Sequence, residues 1–367
     1  MSQIRFVHTD FLRLATPISG VADTPGWLTE QAAGSVRNAV RNLADTAVNH
    51  DADFLIVAGS LTDSTPDLPL VVAWFQHIAL RLQESGVQVV VSASTDQEAA
   101  LLAPVCDIVL RPGELLHASL RHQNVQLRTS HRGDATSEEL TISIGRELSP
   151  PEGRTVYNAV PGLQCSTDAD SHGVVGYLSL AAGAVQAVRP DERGEYGCIV
   201  VEADTESRLL KSEFVATDVI RFAQEDLSLK TTMTTESLAA ALVSASESID
   251  RSSAHTVILD WRIDAELAAD LHDVGRLDEF ELLHRIRSAV QSGHRGVWPR
   301  RLSFLPSATL RVATPEYDSV QEYIQIVSGA VHSYDVDQYT TPHRLLSGQP
   351  GVSPSLISGL SLLGRVA

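Results

Sequence analysis

The segment Asp53–Ala58 (DFLIVA) constrains the fold of this chain more than any other, because it is apolar almost throughout. A run of this kind is typical of a parallel strand that is buried on both faces. Val87–Ser92 (VQVVVS) repeats the pattern, and Ile4–Thr9 is predicted to be a short apolar strand. Helical spacing fills the intervals, at Leu28–Asn49 and at Pro69–Ser85. This strand–helix alternation predicts right-handed crossovers and a layered α/β domain.

The pattern changes twice further along the chain. Leu115–Val201 reads as shorter strands separated by many turn residues, from which we expect a second sheet packed on the first. After about Phe222, helical segments alternate with the strand Thr256–Ile263, which indicates a separate α+β unit. The sequence therefore predicts a first domain at 1–224, a capping domain at 225–339, and a flexible tail at 340–367 that contains no acidic residue.

Composition limits the class of protein. The chain has 367 residues, is 43% hydrophobic and carries a net charge of −18, which disfavours non-specific binding of the whole surface to nucleic acid. No apolar stretch approaches the ~20 residues of a membrane span, and the N-terminus does not resemble a signal peptide. We therefore expect a cytoplasmic protein with no membrane partner. Its three cysteines, Cys106, Cys165 and Cys198, lack zinc or disulfide spacing and are expected to be free thiols.

One stretch departs from this acidic character. Leu282–Pro315 contains no Asp or Glu but several arginines. The arginines that we consider as contacts for phosphate or for a partner are Arg285, Arg287, Arg295, Arg300 and Arg301. Two interpretations stay open: a solvated face that offsets an acidic neighbouring surface, or a contact for DNA phosphate or an acidic partner within 285–311, where Trp298 could stack.

Four segments carry a resemblance to a known family. Ile4–Leu14 (IRFVHTDFLRL) resembles the motif R-F-x-H-x-x-D-L-H-L, and Ala52–Asp63 (ADFLIVAGSLTD) resembles D-F-L-x-x-A-G-D-L-x-D. Val89–Asp96 (VVVSASTD) stands where a strand leads to G-N-H-D, and Tyr196–Phe222 resembles a closing strand pair. These motifs belong to the calcineurin-like metallophosphoesterases, specifically the SbcD-like DNA repair exonucleases. Over roughly residues 1–310, the resemblance implies a layered, αββα-type sandwich followed by a smaller α+β cap domain.

The resemblance also implies where two catalytic metals would bind, and this chain lacks the donors at those positions. Phe11 and Arg13 replace the Asp and His of D-x-H, and Ser60 replaces the bridging Asp of G-D. Further replacements are Ser94 and Thr95 for the Asn and His of G-N-H-D, Pro161 for a strand-end His, and Ala181–Ala184 for G-H-x-H. Phenyl, guanidinium and hydroxyl groups cannot balance the charge of two divalent ions. We therefore expect no metal cofactor, or Mn only if the site has been rebuilt.

Four residues could form such a residual site: His8, Asp10, Asp63 and Asp96. Asp10 lies one residue before the expected Asp, and a one-residue slip along a strand reverses the face to which a side chain points. We expect His8 to be a core histidine with a satisfied hydrogen bond. Asp63 and Asp96 are expected to brace turns.

Three functional hypotheses follow. The first is a pseudoenzyme, a non-catalytic binding or assembly module in DNA repair. The resemblance suggests an SbcC-type ATPase, an active paralogue or a second copy of the chain as its partner. The second is an active hydrolase, a metal-dependent DNA exonuclease or other phosphoesterase, with a site rebuilt around Asp10, Asp63 and Asp96. The third is a sensor in which Arg13 holds a phosphate ligand in place of a metal.

Overall fold

The computed structural model describes residues 3–21, 24–63, 67–120, 123–129, 140–145, 155–170, 176–227, 235–249, 256–264, 279–293 and 296–305. The predicted tail at 340–367 and Arg295 lie outside these ranges. Within them the chain forms five helices and fifteen strands that are arranged in three sheets. This mixed architecture confirms the predicted α/β class.

The first sheet has six strands in the order β12-β11-β1-β2-β3-β4. Its parallel part consists of β1 (Gln3–Thr9), β2 (Phe54–Val57), β3 (Gln88–Ser92) and β4 (Ile108–Leu110). The antiparallel edge consists of β11 (Gly197–Asp204) and β12 (Leu209–Ala216). The parallel strands are connected through α1 (Gly26–Asn49), α2 (Leu68–Glu84) and α3 (Asp96–Leu102). The predicted strand–helix alternation is therefore present.

The second sheet also has six strands, in the order β5-β6-β7-β8-β10-β9. Its strands are β5 (Leu115–Leu120), β6 (Gln123–Arg128), β7 (Leu140–Ile144), β8 (Val156–Ala159), β9 (Ser166–Asp170) and β10 (Tyr177–Ala181). The four inner strands β6, β7, β8 and β10 run parallel, and the two outer strands are antiparallel to their neighbours.

The first sheet lies between two apolar cores, which explains the uninterrupted apolar run in β2. Leu55 and Val57 join the core on the side of the helices. Phe54 and Ile56 point the other way and pack against side chains of the second sheet. The Phe54 ring stacks on Phe6 at a centroid distance of 4.9 Å. Because successive strand residues face opposite sides, a strand with a core on each side is apolar unless a polar side chain finds hydrogen-bond partners inside.

A smaller sheet completes the described part of the chain. It has the order β13-β14-β15 and consists of β13 (Ile220–Leu227), β14 (Thr256–Asp264) and β15 (Val297–Leu305). The accompanying helices are α4 (Thr235–Glu247) and α5 (Glu279–Gly293). No helix among the described residues is both long enough and apolar enough to cross a membrane.

The contacts between residues divide the chain into two compact units. One comprises residues 1–227, 233–262 and 275–303, and the other comprises 228–232, 263–274 and 304–367. In the first unit, Ile258 of β14 and Trp298 of β15 share an apolar core with α1 and α2. The domain boundary predicted at residue 224 lies within β13. The division into a sandwich and a cap stays a prediction.

Candidate functional site

The segments that follow β1, β2 and β10 meet at one edge of the fold, where ligand sites form in α/β proteins. The amide of Gly59 donates to the carbonyl of Asp10 at 2.7 Å, and the amide of Leu12 donates to Ser60 at 3.2 Å. From the other sheet, the amide of Val185 donates to the carbonyl of Phe11 at 3.1 Å. The structure therefore brings the replaced positions at Phe11 and Ser60 together with the segment after β10.

Asp10 lies at the centre of this edge and is completely buried. Its Oδ2 accepts hydrogen bonds from the amides of Gly162 at 3.0 Å and Gly183 at 2.8 Å. Its Oδ1 lies 2.7 Å from His8 Nε2. Both carboxylate oxygens thus form hydrogen bonds within the protein. Through these bonds, Asp10 connects the end of β1 to the loops that follow β8 and β10.

His8 extends the Asp10 network towards the second sheet. An ionised carboxylate can only accept hydrogen bonds, so His8 donates from Nε2. In that tautomer, Nδ1 accepts a hydrogen bond from the hydroxyl group of Tyr157, and the two atoms lie 2.7 Å apart. Burial and the nearby charge of Asp10 raise the pKa of Tyr157 well above its ordinary value, which keeps the phenol protonated. His8 is therefore a core histidine with both ring nitrogens satisfied.

Arg13 is buried and paired with two carboxylates. Its Nη1 donates to Glu192 at 2.7 Å, and its Nε donates to Asp63 at 3.0 Å. Burial opposes the charge on Arg13, but the hydrogen bonds to both carboxylates outweigh burial and raise its pKa. Only 3% of Arg13 is exposed, so it meets these carboxylates rather than water.

Glu192 completes the pairing of Arg13 from a turn near the start of β11. The same carboxylate also accepts hydrogen bonds from the amide of Val188 at 2.8 Å and from Arg189 Nε at 3.1 Å. Burial raises the pKa of Glu192, but the hydrogen bonds from Arg13, Val188 and Arg189 outweigh that effect, and the net pKa is lowered. Glu192 is consequently ionised at neutral pH.

Phe11 fills the space over Gly59. A Cβ atom added to Gly59 would lie 2.5 Å from the Asp10 carbonyl oxygen and 2.7 Å from Cε1 of Phe11. Side chains do not tolerate such distances, so this close approach requires glycine. The phenyl ring therefore covers the residue that immediately precedes Ser60, the position of the bridging carboxylate in the resembled motif.

The positions of the G-N-H-D motif form a helix cap. Thr95 Oγ1 accepts a hydrogen bond from the amide of Glu98 at 3.1 Å, and Glu98 Oε2 accepts one from the amide of Ser94 at 2.8 Å. This reciprocal pair is a variant of the capping box at the start of α3, in which Glu98 reaches the amide just before the N-cap Thr95. Asp96 is exposed in the first turn, where a carboxylate favours the helix dipole. Pro161 is exposed beside Gly162.

The thiols do not supply a nucleophile at neutral pH. Burial, reinforced by the charge of Asp107, raises the pKa of Cys106 to about 12. Burial, reinforced by Asp10, raises the pKa of Cys165 to about 11. Burial also raises the pKa of Cys198, which is fully enclosed. All three side chains stay protonated, and a thiol is a weak nucleophile and metal ligand.

The arginine stretch is largely engaged within the protein. Arg285 pairs with Glu281 and lies 3.7 Å from Glu236. Arg287 stacks over Trp298 at 4.7 Å from the ring centroid and donates to two backbone carbonyls. Arg300 Nε donates to Asp260 at 2.8 Å. Arg301 is exposed, and Arg295 lies outside the described residues.

The sequence alone did not indicate the hydrogen-bond partners of His8, Asp10 and Arg13. Glu192 lies 179 residues from Arg13 along the chain, and Tyr157 lies 149 residues from His8. The donors from Gly162 and Gly183 are backbone amides, which leave no side-chain signature. Only the capping box had a local signal, the T-x-x-E spacing of Thr95 and Glu98.

Comparison with known proteins adds no assignment, because no protein-family model and no curated protein matches the chain. The site must therefore be judged by its donors. Among the residues that the structure describes, no three His, Cys, Asp or Glu side chains are grouped so that they could hold a metal ion. Asp10 and Arg13 are already paired within the protein. The side chains at this edge do not fit a two-metal centre.

Proposed function

We propose that this chain is a non-catalytic member of the SbcD-like metallophosphoesterases that acts as a binding or assembly module. One observation carries the proposal: Arg13, at the position of a metal-binding histidine in the resembled motif, is buried and neutralised by Glu192 and Asp63. The two packed sheets with helices against the first are compatible with the αββα-type sandwich. A helical layer over the second sheet stays a prediction.

Charge balance supports the absence of catalysis. Two-metal hydrolysis requires carboxylates and imidazoles that neutralise two divalent ions. Arg13 instead contributes a fixed positive charge, and it occupies the carboxylates of Asp63 and Glu192. Metal binding would therefore require Arg13 to leave its partners.

The two other hypotheses gain no specific support. An active site rebuilt from aspartates would require Asp10, Asp63 and Asp96 to converge. Asp10 is instead buried, and its carboxylate already accepts hydrogen bonds within the protein. Asp63 pairs with Arg13, and Asp96 is exposed at the start of α3. A phosphate sensor would require the ligand to displace two carboxylates from Arg13. The non-catalytic proposal requires neither rearrangement.

Co-expression with an SbcC-type ATPase, followed by a nuclease assay of the purified chain, tests the assembly and the non-catalytic parts of the proposal. We expect the two proteins to elute together in size-exclusion chromatography, and the purified chain to leave linear double-stranded DNA intact in the presence of Mn²⁺. Nuclease activity that co-purifies with the chain over two chromatography columns, at constant specific activity, would refute the non-catalytic assignment. Separate elution at micromolar concentrations would refute the ATPase as partner.

A further inference from the structure

A cavity on the helical side of the first sheet is separate from the Asp10 network. It is open to solvent on one side, has a volume of about 360 Å³ and lies between the segment Ala15–Val21 and one face of α1. Its apolar lining includes Ile18, Val21, Ala32 and Val36, and its hydroxyl groups come from Thr16 and Thr29. Among the described residues that line it, Arg37 carries the one charge. The volume is at the small end of the range for ligand sites.

The wall of this cavity is held in place at both ends. At one end, Arg13 and Ala15 adopt left-handed backbone conformations, with φ of 52° and 69°. Such conformations are unfavourable for residues with side chains, and they persist only where the surroundings enforce them. The ion pairs of Arg13 and the bond from the Leu14 amide to Leu61 at 2.8 Å provide that enforcement.

At the other end of the wall, the amide of Ser19 donates to the carbonyl of Val188 at 2.8 Å. The amide of Val188 in turn donates to Glu192, the partner of Arg13. The segment from Arg13 to Ser19 is therefore anchored at both ends to the same turn. A wall fixed in this way makes a preformed cavity, which spares a ligand the cost of ordering a loop.

Arg37 gives the cavity its chemical preference. The side chain is exposed at the cavity, and its guanidinium carbon lies 6.0 Å from the centroid of the Trp74 ring. Within the described part of the chain, no carboxylate lies within ion-pair distance of Arg37, although the protein carries a net charge of −18. An arginine stacked on an aromatic ring keeps the edge of its guanidinium available for a carboxylate.

We propose that this cavity binds a small carboxylate with a short apolar body. The apolar body would lie against Ile18, Ala32 and Val36, and the carboxylate would pair with the guanidinium of Arg37. Burial of the apolar body supplies affinity, and Arg37 selects an acid over an alcohol or an amine of the same shape.

Isothermal titration of the full-length protein with hexanoate tests the proposal, and 1-hexanol and hexylamine serve as matched probes. We expect saturable binding of hexanoate, at least about tenfold weaker binding of the alcohol, and no binding of the amine. Arg37→Gln should weaken hexanoate binding about tenfold or more, and Ala33→Trp, which fills the cavity, should abolish it.

Arg41→Gln is the matched control, because Arg41 lies one turn along the exposed face of α1 and donates to Asn38 at 2.8 Å. The affinity of the Arg41→Gln variant for hexanoate should stay within about twofold of that of the wild-type protein. The proposal is overturned if wild type shows no saturable binding of hexanoate up to about 10 mM. Equal losses in Arg37→Gln and Arg41→Gln, or equal binding of hexanoate and hexylamine, would overturn it as well.

Discussion

At the scale of single residues, the candidate site consists of charges that the protein itself satisfies. Asp10 accepts hydrogen bonds from the amides of Gly162 and Gly183, and its other oxygen meets His8. Arg13 is neutralised by Glu192 and Asp63. Removing one partner from a buried network of this kind leaves polar groups unsatisfied, which is far more costly than losing an exposed pair.

Asp10→Ala should lower the free energy of unfolding by about 3–5 kcal/mol, because it leaves two buried amides and His8 without an acceptor. Asp10→Asn should cost less, about 1–2 kcal/mol, because its amide oxygen still accepts from both glycines while His8 changes tautomer. Urea denaturation measures both changes.

Asp96→Ala is the control for Asp10→Ala, since Asp96 is exposed at the start of α3 and should cost at most about 1 kcal/mol. If Asp10 were an unpaired ligand waiting for metal, its removal would leave stability unchanged or would raise it. An Asp10→Ala variant as stable as wild type would therefore contradict the structural role.

Glu192 makes stability depend on pH in a defined direction. The pKa of Glu192 is lowered in the folded protein, so its ionised carboxylate stabilises the folded state. This stabilisation is fully present above the unfolded-state pKa of about 4.3. It is lost as the pH falls through the lower folded-state pKa. Glu192→Gln should reduce stability at pH 7 and should flatten this acid-side decline. Thermal denaturation from pH 7 to about pH 3 measures both effects.

Asp191→Asn is the control for Glu192→Gln, since Asp191 is the exposed neighbour in the same turn. This variant should keep the decline of wild type towards acid pH. A decline in Glu192→Gln that is as steep as in wild type would show that other carboxylates cause the pH dependence.

At the scale of secondary-structure elements, the resembled G-N-H-D segment is the beginning of α3. Thr95→Ala removes the side-chain acceptor for the Glu98 amide and should cost about 1 kcal/mol of stability. Ser94→Ala is the matched control, because only the backbone amide of Ser94 takes part in the capping box. Chemical denaturation that gives the same loss for both variants would argue against the cap.

The elements themselves were largely predictable from the sequence. The apolar runs at Asp53–Ala58 and Val87–Ser92 correspond to β2 and β3, because both faces of these strands are buried. The predicted helix at Leu28–Asn49 corresponds to α1, which begins two residues earlier. Periodicity reports burial, and burial determines these elements.

The pairing inside the candidate site was not predictable in the same way. Sequence comparison with the resembled motifs identified Arg13 as a replacement, but nothing near it in sequence indicates Glu192 as its partner. The arginine stretch shows the same limit, because Arg300 pairs with Asp260 across the small sheet. Partners that lie far apart in sequence are brought together by the fold, and no local pattern records them.

At the scale of the whole molecule, the two sheets are held by apolar packing on both faces of the first sheet. The two cores are apolar and continuous, and the edge where the strands end is closed by Asp10, Phe11 and Arg13. In a catalytic site, clustered ligands of like charge repel one another and lower the stability of the fold. A site that no longer catalyses can hold ion-paired groups instead, which removes this loss of stability. Under the proposed non-catalytic function, Arg13 with Glu192 and Asp63 is a paired group of this kind.

Calorimetric titration of the purified, metal-free protein with Mn²⁺ tests this account most directly. We predict no saturable binding near the strand-end site, and the same flat titration for wild type and for Arg13→Ala, because Asp10 stays saturated in both. Saturable binding of two Mn²⁺ ions per chain, abolished by substitutions at Asp10 or Asp63, would contradict it.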